Sequence, residues 1–276
     1  MNYRERQEII AKSPISSGYL KKFNIGAGTL QLINGLAMLT LTLILKWPSG
    51  TDIYTFYLKF AHVSPTNPAI FAVPNPQVMF TINNLGVLLA AFPLISAFAH
   101  FIIAFPKNKD YNENLKKGMN PYRWYEYALS SSIMIWVIAT FVGIWDFWSL
   151  SMIFVLNAMM IMFGYLMELV NQKTEKTNWS SFILGCISGG FPWVVLFAYF
   201  GGAVASSEGS VPNFVYVIFV VYLVLFMSFA VNQVLQYKGA GKWKDYLYGE
   251  RMYIVLSFVA KTLLVWLVFA GLFSPF

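Results

Sequence analysis

The sequence predicts an all-α membrane protein: seven transmembrane helices in one bundle, with a short extracellular β-hairpin in the first outer loop. Three observations lead there. Of the 276 residues, 58% are hydrophobic and only 11% charged, against about a quarter charged in an ordinary soluble domain. Seven stretches are long and apolar enough to cross a hydrocarbon core, which takes about 20 residues each. The basic residues, finally, sort by membrane side. Together these exclude a soluble enzyme and a disordered chain. Cys186 is the only cysteine, so an internal disulfide or a thiolate metal cluster is excluded too. No metal site and no catalytic residue is expected.

The spans fall at about 24–45, 78–104, 122–144, 147–167, 180–203, 212–236 and 252–274. Small and hydroxyl residues such as Ser130, Ser131, Ser132, Gly185, Gly189 and Gly190 interrupt them, which lets helices approach closely in lipid. The first span is too long, and too polar at its start, for a cleaved signal peptide, so it is expected to remain in the mature protein. Ahead of it, residues 1–23 form a charged N-terminal tail suited to a cytoplasmic contact. Residues 46–77 form an outer loop carrying DIYTFYLKF and PNPQV, rich in aromatic and β-branched residues and too long for a simple turn; a hairpin is expected there, with an irregular lid as the alternative. Pro192, inside GGFPW, should open or kink the fifth span. No repeat, P-loop or zincin motif occurs, and the chain reads as a single domain over 1–276.

Sixteen of the 19 basic residues lie on one side. They are Arg4, Arg6, Lys12, Lys21 and Lys22 before the first span; Lys107, Lys109, Lys116, Lys117 and Arg123 around the start of the third; Lys173 and Lys176 after the fourth; and Lys238, Lys242, Lys244 and Arg251 after the sixth. Lys46 and Lys59 alone lie on the other side. By the positive-inside rule the N-terminus is cytoplasmic and the C-terminus extracellular. The net charge of +7 is therefore a topology signal, and nucleic acid is not an expected partner.

The remaining cation is Lys261, nine residues inside the seventh span and roughly 13 Å deep at 1.5 Å per residue. An ionisable residue there costs about 2.5–3.5 kcal/mol on insertion scales, so it is read as functional and paired. A desolvated amine can condense with a carbonyl cofactor; the plainer alternative is a lysine stem packed in the bundle with its head in a water pocket. Among the 12 acidic residues, Glu126 alone is expected well within a span. Glu168 and Asp146 read as span ends, and Glu250 as a loop residue. Glu126 is thus the expected counter-charge, the alternative being a snorkelling partner for Arg123 at i−3. Ser130 lies one turn from Glu126, as Ser257 does from Lys261. His100, with Ser96 one turn before it, can accept a proton or bond a backbone carbonyl; His62 reads as a surface residue. Aromatic residues make up 18% of the chain. Tyr127, Trp136, Trp193 and Trp266, with Met134, Met160 and Phe229, are candidates to line a slot for a flat apolar ligand, or else pack the bundle.

Seven spans, a midplane lysine in the last and a carboxylate in the third describe a retinal protein. The local sequences RWYEYALSSSIM (123–134), LGCISGGFPW (184–193), VPNFVY (211–216), LQYKGAGKW (235–243), GERMYIVLSFVAK (249–261) and VFAG (268–271) resemble the heliorhodopsins, retinal-binding relatives of the microbial rhodopsins with inverted topology. The resemblance implies a rhodopsin-like seven-helix bundle and all-trans-retinal on Lys261 as a protonated Schiff base, with Glu126 as counterion. It implies Ser257 and Ser96 as hydrogen-bonding neighbours and Met134, Asn157, Trp193 and Trp266 as pocket residues. His100 matches one member of a histidine pair in a polar network near the Schiff base; the other position is Gln31, with Asn34 near it, and an amide takes up no proton at neutral pH. The implied function is light sensing in the cell membrane without strong ion pumping, read out at the cytoplasmic face by a signalling partner, in a homodimer surrounded by lipid. The alternative is a light-gated proton transporter or channel, as in some viral members of the family.

Overall fold

The computed structural model describes residues 3–45, 50–62, 69–207, 211 and 213–272. Lys46 of the topology argument and Pro212 of the third matching segment lie outside the described residues. Nine α-helices and one hairpin are described: α1 (Tyr3–Ala11), α2 (Ser17–Ile44), β1 (Thr51–His62), β2 (Ile70–Ile82), α3 (Leu85–Ala104), α4 (Asn108–Lys116), α5 (Pro121–Phe141), α6 (Phe147–Val170), α7 (Ser180–Ala205), α8 (Asn213–Lys238) and α9 (Tyr246–Leu272). Six of the long helices are long and apolar enough to cross a membrane. The seventh, α5, carries Arg123, Glu126 and Ser130 to Ser132, which lower its hydropathy. The protein is a multi-pass membrane protein.

Helix ends in lipid must satisfy their own backbone groups, and the sequence supplies the caps. Ser16 Oγ accepts from Tyr19 N at 3.1 Å, Asn84 Oδ1 from Gly86 N at 3.0 Å, Asn120 Oδ1 from Arg123 N at 3.2 Å and Asp146 Oδ2 from Ser149 N at 2.7 Å. Pro121 stands at the start of α5, where its missing N–H is no loss. α7 continues as helix through Pro192. In the bundle α2 packs on α3 and α9, α3 on α5, α5 on α6, α6 on α7, and α8 on α9.

The hairpin is longer than expected. β2 runs to Ile82 and pairs antiparallel with β1 from Thr51↔Ile82 to His62↔Ile70, so residues 78–82, expected in the second span, are strand and the helix begins at Leu85. Pro74 and Pro76 stand two residues apart in β2, so both missing donors point the same way, and an outer strand tolerates them there. Tyr54 N donates to Trp145 O at 2.8 Å and Trp148 Nε1 to the buried Thr55 Oγ1 at 3.1 Å, which pins the hairpin to the turn between α5 and α6. His62 is exposed in β1.

The opposite end of the bundle is closed by α1 and α4. Ile10, Leu20, Ile103, Tyr111, Leu115, Tyr246 and Leu247 form an apolar cluster there. Arg6 is buried with its guanidinium 4.6 Å from the centre of the Tyr237 ring, and Ser13 Oγ donates to Asp245 Oδ2 at 2.5 Å. Within the N-terminal tail expected over 1–23, residues from Tyr3 on form a docked helix followed by the first turns of α2.

Candidate functional site

Lys261 sits in the middle of α9, buried, and reaches across the bundle to α5 and α3. Its Nζ lies 2.5 Å from Glu126 Oε1 and also bonds Ser96 Oγ; Ser96 in turn donates to Glu126 Oε1 at 2.6 Å. The Tyr127 ring faces the same ammonium with its centre 5.2 Å away. Three helices thus bring together a cation, an anion, a hydroxyl and a π face, the pairing that a charge removed from water requires. The alternative in which Glu126 serves Arg123 is not what forms.

A cavity opens from this pair, with about 580 Å³ of space between atoms when its open mouth is included. Tyr127, Ser130, Ser131, Met134 and Ile138 line it from α5, Met160 and Ile161 from α6, Tyr222, Leu225, Phe226 and Phe229 from α8, and Ser257, Ala260, Lys261 and Leu264 from α9. The hydroxyls of Tyr127, Ser131 and Tyr222 are tied to backbone carbonyls, whereas, among the described residues, those of Ser130 and Ser257 are buried without a hydrogen-bond partner. Close helix approach shapes the wall: a Cβ on Gly189 would collide with the Met160 sulfur, so glycine there leaves Met160 its place.

Other expected pocket residues stand further back. Asn157 donates to Ser131 Oγ at 2.8 Å and Ser132 Oγ at 3.0 Å, bracing the serine run rather than lining the cavity. Trp193 is buried against Phe197, Phe219 and Phe226, a layer behind Phe226. Trp266 points to α2 and donates to Asn34 Oδ1 at 2.7 Å. Trp136 belongs to a separate open groove beside Phe80 and Ile82. Aromatic packing thus claims Trp193, and an amide partner claims Trp266.

The expected His100, Gln31 and Asn34 group does not assemble. His100 Nδ1 lies 2.8 Å from Asn24 Oδ1, about two turns before Gln31 on α2. Gln31 is buried with neither side-chain polar atom hydrogen-bonded, while Asn34 donates to Thr262 Oγ1 at 3.2 Å.

A second charged cluster, unforeseen in the sequence, lies between His100 and the α1 end. Arg123 is buried and pairs with Glu168 Oε1 at 2.6 Å and with Glu250 Oε2. Glu168 also accepts from Asn120 N at 2.9 Å, Trp124 Nε1 at 2.7 Å and Tyr246 Oη at 3.0 Å. Glu250 accepts from Asn120 Nδ2 at 2.6 Å and Tyr111 Oη at 3.2 Å. Burial, then the Glu250 charge, push the Tyr111 phenol well up, so it stays protonated and donates. Glu250, expected in a loop, thus lies in α9, whereas Glu168 and Arg123 stand at helix ends as expected and are buried there. Both carboxylates lie within a turn or two of a helix end, which made them look solvated; their shared end with Arg123 was the available signal.

A family model described as Heliorhodopsin matches residues 20–273, nearly the whole chain. The chain belongs to the heliorhodopsin family. It is a retinal-binding, rhodopsin-type, light-responsive membrane protein, a receptor rather than a classical enzyme. No curated protein matches the chain. The donor set fits the family's chromophore: one buried primary amine, a carboxylate beside it, and an apolar, aromatic-lined cavity leading away suit an aldehyde on a flat hydrocarbon chain.

Proposed function

We propose that this heliorhodopsin is a light sensor in which all-trans-retinal is held on Lys261, with Glu126 as the counter-charge and the cavity between α5, α6, α8 and α9 as its pocket. When bound, the group supplies light absorption and a photoisomerisation that changes its shape. The single observation that carries the reading is the Lys261–Glu126 pair, 2.5 Å apart, at the mouth of that cavity. The chain's own residues do the rest. Glu126 holds the proton on Lys261 Nζ; Ser96 fixes the carboxylate and the amine together; Tyr127, Met134 and Phe229 exclude water. A change of pocket shape displaces Nζ relative to Glu126, and the proton then has His100 as a titratable destination outside the pair.

The absence of strong pumping is supported by asymmetry. Toward the α1 end lie His100 and the Arg123 cluster. Toward the hairpin end Met38, Leu89, Phe92, Ile135, Ile138, Leu150, Leu264 and Val265 pack as an apolar core. The charge sorting supports an orientation with the α1 end cytoplasmic, in the cell membrane, and readout by a partner there. The whole chain acts as one domain, as a homodimer in lipid.

The test is addition of all-trans-retinal to the purified protein. A visible absorption band that fails to form in Lys261→Ala is expected; no band, or one that survives that change, overturns the reading. Light-driven current in voltage-clamped cells, abolished by Glu126→Gln, would replace the sensor with a transporter.

A further inference from the structure

The cluster around Arg123 carries more negative than positive charge. Two carboxylates, Glu168 and Glu250, share one guanidinium, and their other partners are all hydrogen-bond donors, the pattern that ionised carboxylates need. Arg6 is the other buried cation at this end. Its guanidinium stacks on Tyr237 and, among the described residues, it forms no ion pair with either carboxylate.

A directed chain of hydrogen bonds joins this excess charge to His100. Asn24 Nδ2 donates to Leu20 O at 2.8 Å, which fixes the amide so that Oδ1 is the atom facing His100 Nδ1, 2.8 Å away. Oδ1 can only accept, so the imidazole carries its proton on Nδ1 and leaves Nε2 as the acceptor. Asn24 Nδ2 also reaches Tyr111 Oη at 3.4 Å, and Tyr111 Oη donates to Glu250 Oε1 at 3.2 Å. Every bond points the same way, from His100 to Glu250, an arrangement in which each bond polarises the next.

We propose that Glu250, acting through Tyr111 and Asn24, is the positioning and charge-compensating partner of His100, fixing Nε2 as the atom that takes up the proton released from Lys261 Nζ. The step breaks one N–H bond and makes another, with no redox change. The titratable or charged groups facing His100 are Lys261 on α9, Glu126 on α5 and Tyr111 on α4; α2 offers only the amide of Asn24. Glu126 and Lys261 compensate one another, so the unbalanced charge is the one at the far end of the chain. The proton-transfer part of this inference rests on the light-sensing reading; the tautomer and the coupling to Glu250 do not.

The chain has two histidines, so nitrogen-15 NMR of histidine-labelled full-length protein in nanodiscs, with and without bound retinal in the dark, resolves His100 once His62→Asn has identified the other. The expected tautomer is Nδ1–H. At a fixed acidic pH, Glu250→Gln should lower the ratio of doubly to singly protonated His100. Tyr111→Phe, which keeps the Arg123 ion pairs, should lower it as well and mix the tautomers. An Nε2–H tautomer in the unaltered protein, or an unchanged ratio in Tyr111→Phe, overturns the proposal even if Glu250→Gln does not fold. A missing visible band with the expected NMR result would instead reject the light-sensing reading alone.

Discussion

Lys261 Nζ and Glu126 Oε1 stand 2.5 Å apart in the interior of the bundle, and Ser96 Oγ hydrogen-bonds both. Removing one member of a buried pair leaves the other uncompensated, at a cost of about 3–5 kcal/mol, while replacing both with apolar side chains of similar volume is often neutral. Glu126→Gln before retinal is added is therefore expected to lower resistance to unfolding by that amount, and Glu126→Leu with Lys261→Met to recover most of it. Detergent-titrated unfolding followed by tryptophan fluorescence measures both. A single variant as stable as the parent would mean that the amine already sheds its charge without Glu126.

The Arg123 cluster supplies a second contrast. Arg123→Gln leaves Glu168 and Glu250 facing each other inside the bundle, and a loss of about 3–5 kcal/mol is expected. Lys107 and Asp110, 3.1 Å apart, are half exposed at the start of α4, where water and salt screen the pair. Lys107→Ala is expected to leave the unfolding midpoint in place. Equal effects in the same titration would contradict the burial argument.

The legible part of this molecule was what lipid makes expensive. A lysine in the middle of an apolar run must be paired, and a carboxylate in another run is the natural partner, so the sequence alone matches Lys261 with Glu126. Glu168 and Glu250 escaped because a carboxylate near a helix end has two fates, water or burial under neighbouring segments. Which one applies depends on α1 and α4 folding over that end, and α1 is too short and polar for hydropathy to reveal. His100 is legible as a polar residue in a span, but its partner is not: Asn24 and Gln31 are both buried amides seven residues apart on one face of α2, and only the axial register of α2 against α3 chooses between them. Strand β2 took residues 78–82 because a pleated apolar run and the start of a buried helix look alike until the pairing with Thr51 is known.

Gly189 tests the pocket from behind. Any Cβ there collides with the Met160 sulfur, and Met160 lines the cavity. Gly189→Ala should push Met160 into the cavity, costing about 1–3 kcal/mol as overpacking and lowering the amount of retinal taken up, read as visible absorbance relative to protein absorbance. Gly189→Ala with Met160→Ala should restore uptake. A single variant that loads fully would place the retinal away from Met160.

The hairpin gives a prediction independent of the chromophore. Its hold on the bundle rests on Tyr54 N to Trp145 O at 2.8 Å and on Trp148 Nε1 to Thr55 Oγ1 at 3.1 Å, with Ile53 buried beneath β1. The Trp148 bond is the one a side-chain change can remove: phenylalanine keeps the ring's apolar contact with Phe147 and deletes the donor. One such bond is worth about 1 kcal/mol, roughly a fivefold change in an opening equilibrium. Amide hydrogen exchange should therefore quicken about fivefold for β1 residues near Thr55 in Trp148→Phe. Exchange in α5 and α9 should not change, because their protection comes from the helix packing of the bundle. Uniform acceleration across the bundle would show that the hairpin is part of its cooperative core, and no acceleration at all would show that the Tyr54 bond holds the hairpin alone.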